Sequence, residues 1–167
     1  MRRVVIFGAP GSGKSTLARR LSERTGLRWV ERDGLGDLGS DDYRAAVSAV
    51  VAHDEWIFDG APYYVDDEVY GRADTVIIFD FAKPVVMRRV LARSLGLLRP
   101  GRTVGAHRSA GLRSWLTADH PVRVAWTSHA ARRREAVELL ARDDLSGTTV
   151  IRFRTPREVD GWWRGLA

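Results

Sequence analysis

Residues 8–15 read GAPGSGKS, the spacing G-x-x-x-x-G-K-[ST], and they stand between an apolar run, RVVIF at 3–7, and the amphipathic stretch KSTLARRLSERTG. Glycines at these positions let a loop fold back so that successive backbone N–H groups point into one cavity, where an anion sits at a helix N-terminus. A chance match is expected in roughly one chain in two hundred of this length from average residue usage. The strand before it and the helix after it are the setting this chemistry requires. The reading is a nucleotide-phosphate cradle made of Gly8, Ala9, Pro10, Gly11, Ser12, Gly13, Lys14, Ser15 and Thr16. Lys14 would reach the β- and γ-phosphates, and the Ser15 hydroxyl would ligate magnesium.

The remaining pattern alternates strands with helices. In the first helix Leu17, Ala18 and Leu21 share a face and Gly26 supplies a stop. LRWVERD (27–33), WIFDG (56–60), DTVIIFD (74–80) and TTVIRF (148–153) read as further strands. SDDYRAAVSAVVAH opens on Ser40 as an N-cap, with Tyr43, Val47, Val50 and Val51 on one face. A helix from Lys83 would turn Val86, Val90, Leu91 and Leu95 inward. Another, from about His120 to Arg142, would anchor through Trp126, Val137 and Leu140. PREVDGWWRGL closes the chain as a helix with proline in its first turn, packed by Trp162 and Trp163. Such alternation predicts βαβ units: an α/β three-layer sandwich around a parallel five-stranded sheet, one domain over 1–167.

Composition limits the chemistry. With no cysteine among 167 residues, disulfides, thiolate metal sites and cysteine nucleophiles are excluded. No window approaches a membrane span, and the apolar start is too short for a signal peptide, so a cytoplasmic protein is expected. Neither asparagine nor glutamine occurs, which removes the Asn-Lys-x-Asp guanine reader and the water-positioning glutamine of GTP switches. Transfer of a γ-phosphoryl group, or ATP hydrolysis coupled to something else, remains.

The net charge of +6 conceals a strong asymmetry. Between Val85 and Glu135 there are eleven arginines against Asp119 and Glu135, a local balance of +9, so the remainder carries −3. Arg89 and Arg93 are four apart and share a helix face, and arginine's forked donors suit phosphate oxygens. Asp59 and Asp80 both end apolar strands, at the edge where ligands bind in parallel sheets. Asp33 could orient or deprotonate an acceptor hydroxyl. Arg134 can pair with Glu138 along its helix. The histidines, His53, His107, His120 and His129, show no metal-ligand spacing and read as ordinary surface or lid residues.

On GAPGSGKST, WIFDG, Asp80 and the arginines that follow it, the chain resembles the adenylate-kinase-like P-loop kinases, and within them the bacterial "topology modulation" group. The resemblance implies an ATP- and magnesium-dependent kinase. It points to Asp59 as the aspartate that holds magnesium through water. It also implies that Arg89 and Arg93 flank the phosphates, and that Asp33 stands where these kinases bind the acceptor. Arg132, in the triple arginine 132–134, falls in the region after the lid. The usual acceptor signature of monophosphate kinases is absent around 31–40, which argues against an AMP-like acceptor.

The basic, glycine-punctuated stretch at about 96–119 is therefore read as a lid that closes over ATP. A nucleic-acid backbone would also suit its charge, but aromatics for stacking bases are sparse there. The two expectations are a monomeric kinase with an unidentified phosphate acceptor and, less favoured, a nucleic-acid-associated regulatory ATPase affecting DNA topology.

Overall fold

The computed structural model describes residues 1–97 and 120–166. Five strands, β1 (Arg3–Gly8), β2 (Trp29–Glu31), β3 (Trp56–Asp59), β4 (Thr75–Phe79) and β5 (Thr149–Phe153), form one sheet in the order β2-β3-β1-β4-β5. Every pairing is parallel. Among the described residues six α-helices connect or follow them: α1 (Lys14–Thr25), α2 (Asp41–Val51), α3 (Asp66–Arg72), α4 (Lys83–Leu97), α5 (Pro121–Leu140) and α6 (Pro156–Gly165). This is the expected α/β sandwich.

Side-chain alternation along the strands divides the interior into two cores. Val4, Ile6, Ile57, Ile77 and Phe79 face α1, α4 and α6, while Val5, Phe7, Trp56, Phe58, Val76 and Ile78 face α2, α3 and the C-terminal half of α5. β1 is buried on both faces, as the central strand of a parallel sheet must be. Because all strands run the same way, the loop after β1 and the ends of β3 and β4 gather at one edge.

Local signals act as the residue types dictate. Gly26 ends α1 in the left-handed region and donates its N–H to Ser22 O at 2.9 Å. Ser40 caps α2, its hydroxyl accepting from the Tyr43 N–H at 3.1 Å, a contact worth about 1 kcal/mol. Trp162 meets Phe153 edge to face, whereas Trp163 packs beneath the Arg20 and Arg24 guanidinium groups of α1.

Four expectations need correction. β2 is only three residues long, and Arg32–Gly34 coil into a 3-10 turn instead of extending the strand. In α4 the buried stripe is Val86, Val90 and Ser94, and Leu91 and Leu95 are exposed. In α5 it is Ala125, His129, Ala136 and Leu139, leaving Trp126, Val137 and Leu140 exposed. His120 and His129 are buried, not surface residues. His120 caps α5 by accepting the Val122 N–H, and His129 Nε2 lies 2.9 Å from Phe81 O. α5 thus covers the sheet through Ala125, His129, Ala136 and Leu139. Of the segment read as a lid, residues 96 and 97 continue α4; residues 98–119 lie outside the described residues.

Candidate active site

The phosphate loop joins β1 to α1. Gly13 caps α1 at φ 105°, a conformation that favours glycine. The first N–H groups of a helix have no partner within it, so those of α1 face the loop's cavity. α4 rests on this loop. A Cβ added at Gly11 would lie 2.1 Å from Val90 Cγ2, and one at Gly13 would lie 2.8 Å from Arg89 Nη2. The burial of Val86 and Val90 therefore carries Arg89 and Arg93 to the loop. With Lys14, Ser15 and Thr16 they line a cavity of about 230 Å³.

Lys14 curls over the loop, its Nζ donating to Ala9 O at 3.3 Å. Burial pulls its ammonium below the ordinary lysine value; Asp59 opposes that shift, while Arg32 and Arg132 add to it. Asp59 stands in register with Ile6 of β1 and shares the face of Ile57, the side on which α1 packs. Its carboxylate therefore meets the start of α1. Burial raises its pKa, opposed by the Ser15 hydroxyl, the Lys14 ammonium and the Trp29 indole. The indole N–H is buried without a hydrogen-bond partner among the described residues, so it faces the carboxylate from beyond bonding distance.

Asp80 goes elsewhere. By alternation it leaves the opposite face, the side on which Ile78 packs. Its side chain, 2 % exposed, accepts from Arg152 Nε at 3.1 Å and from Arg152 Nη2, and Arg133 Nε lies 3.4 Å away. Arg133 and Arg134 line an outer groove with Lys83 rather than the phosphate loop.

A second cavity of about 340 Å³ adjoins the loop and joins Lys14, Ser15, Asp59 and Arg93 to Asp33 and Arg132. The predicted residues from five separate segments thus share one cleft. Arg32 and Tyr63 also line it and were missed. Arg32 neighbours Asp33, but only the 3-10 turn after β2 brings both to the cleft, Arg32 largely covered and Asp33 at its open rim. Tyr63 gave no signal beyond standing four residues after Asp59. Glu31 also lines the cleft and was missed, and so was Glu135. Glu135 receives the Tyr63 hydroxyl at 3.0 Å and Arg132 Nη1 at 2.6 Å.

The donors fit magnesium and a nucleotide triphosphate. Ser15 and Asp59 offer hard oxygen ligands, and magnesium keeps waters and substrate phosphates instead of needing a protein cage. No cluster of three or more His, Cys, Asp or Glu residues able to hold a metal exists among the described residues. No helix there is long and apolar enough to cross a membrane.

Comparison with known proteins agrees with this architecture. A family model described as an AAA domain matches residues 3–36, the phosphate loop and its flanks. A Pyrococcus furiosus protein provisionally named an adenylate kinase is 29% identical over 111 residues. That match spans 62% of this chain and 62% of the relative's length. The shikimate kinase of Bacteroides thetaiotaomicron superposes with a TM-score of 0.55 at 15% identity, covering 99% of this chain and 95% of its own. The Acinetobacter baumannii shikimate kinase gives 0.50 at 12%, covering 99% and 92%. The chain shares the fold of these P-loop kinases and is similar in sequence to the adenylate-kinase relative over 111 residues.

Proposed function

We propose that this protein is an ATP-dependent kinase that moves the γ-phosphoryl group to a small acceptor, and that it acts as a single-domain monomer in the cytoplasm. The observation that carries the reading is the placement of Asp59 on the α1 face beside Ser15 and Lys14, with Arg89 and Arg93 brought over the same loop by α4.

In this reading Gly8 to Thr16 hold the triphosphate through backbone N–H groups, and Lys14 moves from Ala9 O to the β- and γ-phosphates. Ser15 and Asp59 would hold magnesium, which when bound neutralises phosphate charge and fixes its geometry. Arg89 and Arg93 stabilise the charge that spreads over the transferring group. Asp33 orients the acceptor hydroxyl and takes its proton. Arg132 steadies the acceptor from α5.

The test is transfer of radiolabelled γ-phosphate from ATP to a panel of acceptors, run beside Lys14→Ala. A labelled product that requires Lys14 supports the kinase. Transfer that survives the substitution defeats it. Label released only as inorganic phosphate, and faster with DNA, would favour the nucleic-acid-associated ATPase instead.

A further inference from the structure

On the acceptor side of the cleft, two guanidinium groups converge on one aromatic ring. Arg32 Cζ lies 5.4 Å and Arg132 Cζ 4.9 Å from the centroid of Tyr63. Like charges are not drawn together without compensation, and here each element of it is built in. The Arg32 side chain crosses Gly60 so closely that a Cβ there would fall 3.0 Å from Arg32 Cβ, and Gly60 itself sits at φ 125°. The Tyr63 hydroxyl and Arg132 both bond Glu135 Oε2, which fixes ring and guanidinium together. Both arginine side chains are largely covered, at 20% and 27% exposure.

The hydrogen bonds leave specific groups available. Arg32 gives Nε, at 2.8 Å, and Nη2 to Asp33 Oδ1. Arg132 gives Nη1 to Glu135. Among the described residues, Arg32 Nη1, Arg132 Nη2 and Asp33 Oδ2 take no bond, and all three residues line the cleft. Arg132 thus keeps its Nε and Nη2 fork and Arg32 keeps Nη1, donors that a carboxylate or phosphate matches, and the carboxylate oxygen beside them is matched by a hydroxyl. A nucleobase would need an open aromatic face, and the one aromatic ring lining this cleft among the described residues already carries two cations. The cleft, about 340 Å³, lies at the small end of ligand sites, which run from roughly 300 to 1,000 Å³, and must also admit the transferring phosphate.

We propose that the acceptor is a small base-free alcohol bearing an anionic group, carboxylate or phosphate, with the anion clamped by Arg32 and Arg132 and the hydroxyl presented to Asp33. This rests on the kinase reading above. The hydroxyl oxygen bonds to the γ-phosphorus as the bond to the β–γ bridging oxygen breaks. Its proton passes to Asp33 and then to water, and ADP leaves. Tyr63 is a positioning residue whose ring meets both guanidinium groups.

The experiment pairs calorimetric binding with the transfer assay on the full chain. Four arms are used: hydroxycarboxylates, sugar phosphates, uncharged polyols, and nucleosides with their monophosphates. Binding and transfer confined to the first two arms are expected, and the better of them identifies the anion. Arg132→Ala should raise the acceptor KM about 10- to 100-fold, the loss of one charge-assisted contact, with the KM for ATP unchanged. Tyr63→Leu should raise the acceptor KM without changing that for ATP, and Tyr63→Phe, which keeps the ring but loses the bond to Glu135, should raise it less. Thermal melting of each variant checks that it is folded. Preferred transfer to an uncharged polyol, a nucleoside or a nucleoside monophosphate overturns the inference and leaves the kinase standing. Arg32- and Arg132-dependent binding of an anionic alcohol without transfer supports the anion clamp but overturns the acceptor role and defeats the kinase. Absence of both binding and transfer in the two anionic arms overturns the inference.

Discussion

Asp59 and Asp80 close the two strands that flank β1, and their carboxylates leave opposite faces of the sheet. Asp59 meets Lys14 and Ser15, while Asp80 meets Arg152 and Arg133. One faces the phosphate loop, and the other is committed to holding β5 and α5 against β4.

Their neutral replacements should therefore behave in opposite ways. Burial raises the Asp59 pKa, so the folded chain binds this proton more readily than the unfolded chain and the ionised form is a cost at neutral pH. That cost is present above the raised pKa and fades as pH falls through it. Asp59→Asn should raise Tm at neutral pH, with the gain lost in acid, while magnesium-dependent transfer falls about 10²-fold. Asp80→Ala should destabilise by about 2–3 kcal/mol, because Arg152 is left partly buried without its partner. Denaturation and steady-state kinetics on both variants decide the matter.

Lys14 supplies a proton signature of nucleotide binding. Its pKa is lowered from 10.5 by burial, so the folded chain releases this proton earlier than the unfolded chain. Its contribution to stability accordingly grows as pH rises from the lowered pKa toward the ordinary one. Phosphates placed at Nζ favour the charged form and return the proton. ATP binding in that alkaline window should take up protons, seen as a buffer-dependent calorimetric enthalpy that Lys14→Met abolishes. Uptake that persists in the variant would remove Lys14 from the phosphates.

Gly11 and Val90 are coupled by contact. A methyl group at Gly11 must displace Val90, 2.1 Å away, and with it the helix that carries Arg89 and Arg93. Gly11→Ala should lower transfer about 10-fold or more, since misplacement by an ångström can cost 10²-fold. Adding Val90→Ala should recover part of it, a coupling measured by a double-mutant cycle.

The corrected stripe of α5 has its own test. Leu139→Ala should cost about 2–4 kcal/mol in urea unfolding. Trp126, 58% exposed beneath the Lys83 ammonium at 3.5 Å, should cost below about 1 kcal/mol when replaced by alanine. The reverse order would return the stripe to Trp126, Val137 and Leu140.

What could be read before the fold was known is what neighbours in sequence decide. The phosphate loop is eight consecutive residues whose glycines, lysine and serine act on one anion. The buried strands announce themselves by continuous apolar runs, and Ser40 and Gly26 end helices through bonds to residues a turn away. The fold class and the gathering of strand ends at one edge follow from that local information.

Tertiary contact decided the rest. Trp126 is the larger hydrophobe, but α5 turns Ala125, His129, Ala136 and Leu139 inward, so periodicity alone assigned the wrong face. Asp59 and Asp80 share the same local pattern. Whether an aspartate one step past its neighbour serves a ligand or a salt bridge depends on which face it leaves and on which helix covers that face. The meeting of Arg32, Tyr63 and Arg132 joins three segments that span 100 positions of the chain, counting from residue 32 to residue 132. No local pattern encodes it, because the attraction of guanidinium groups for a ring depends on distances that only packing creates.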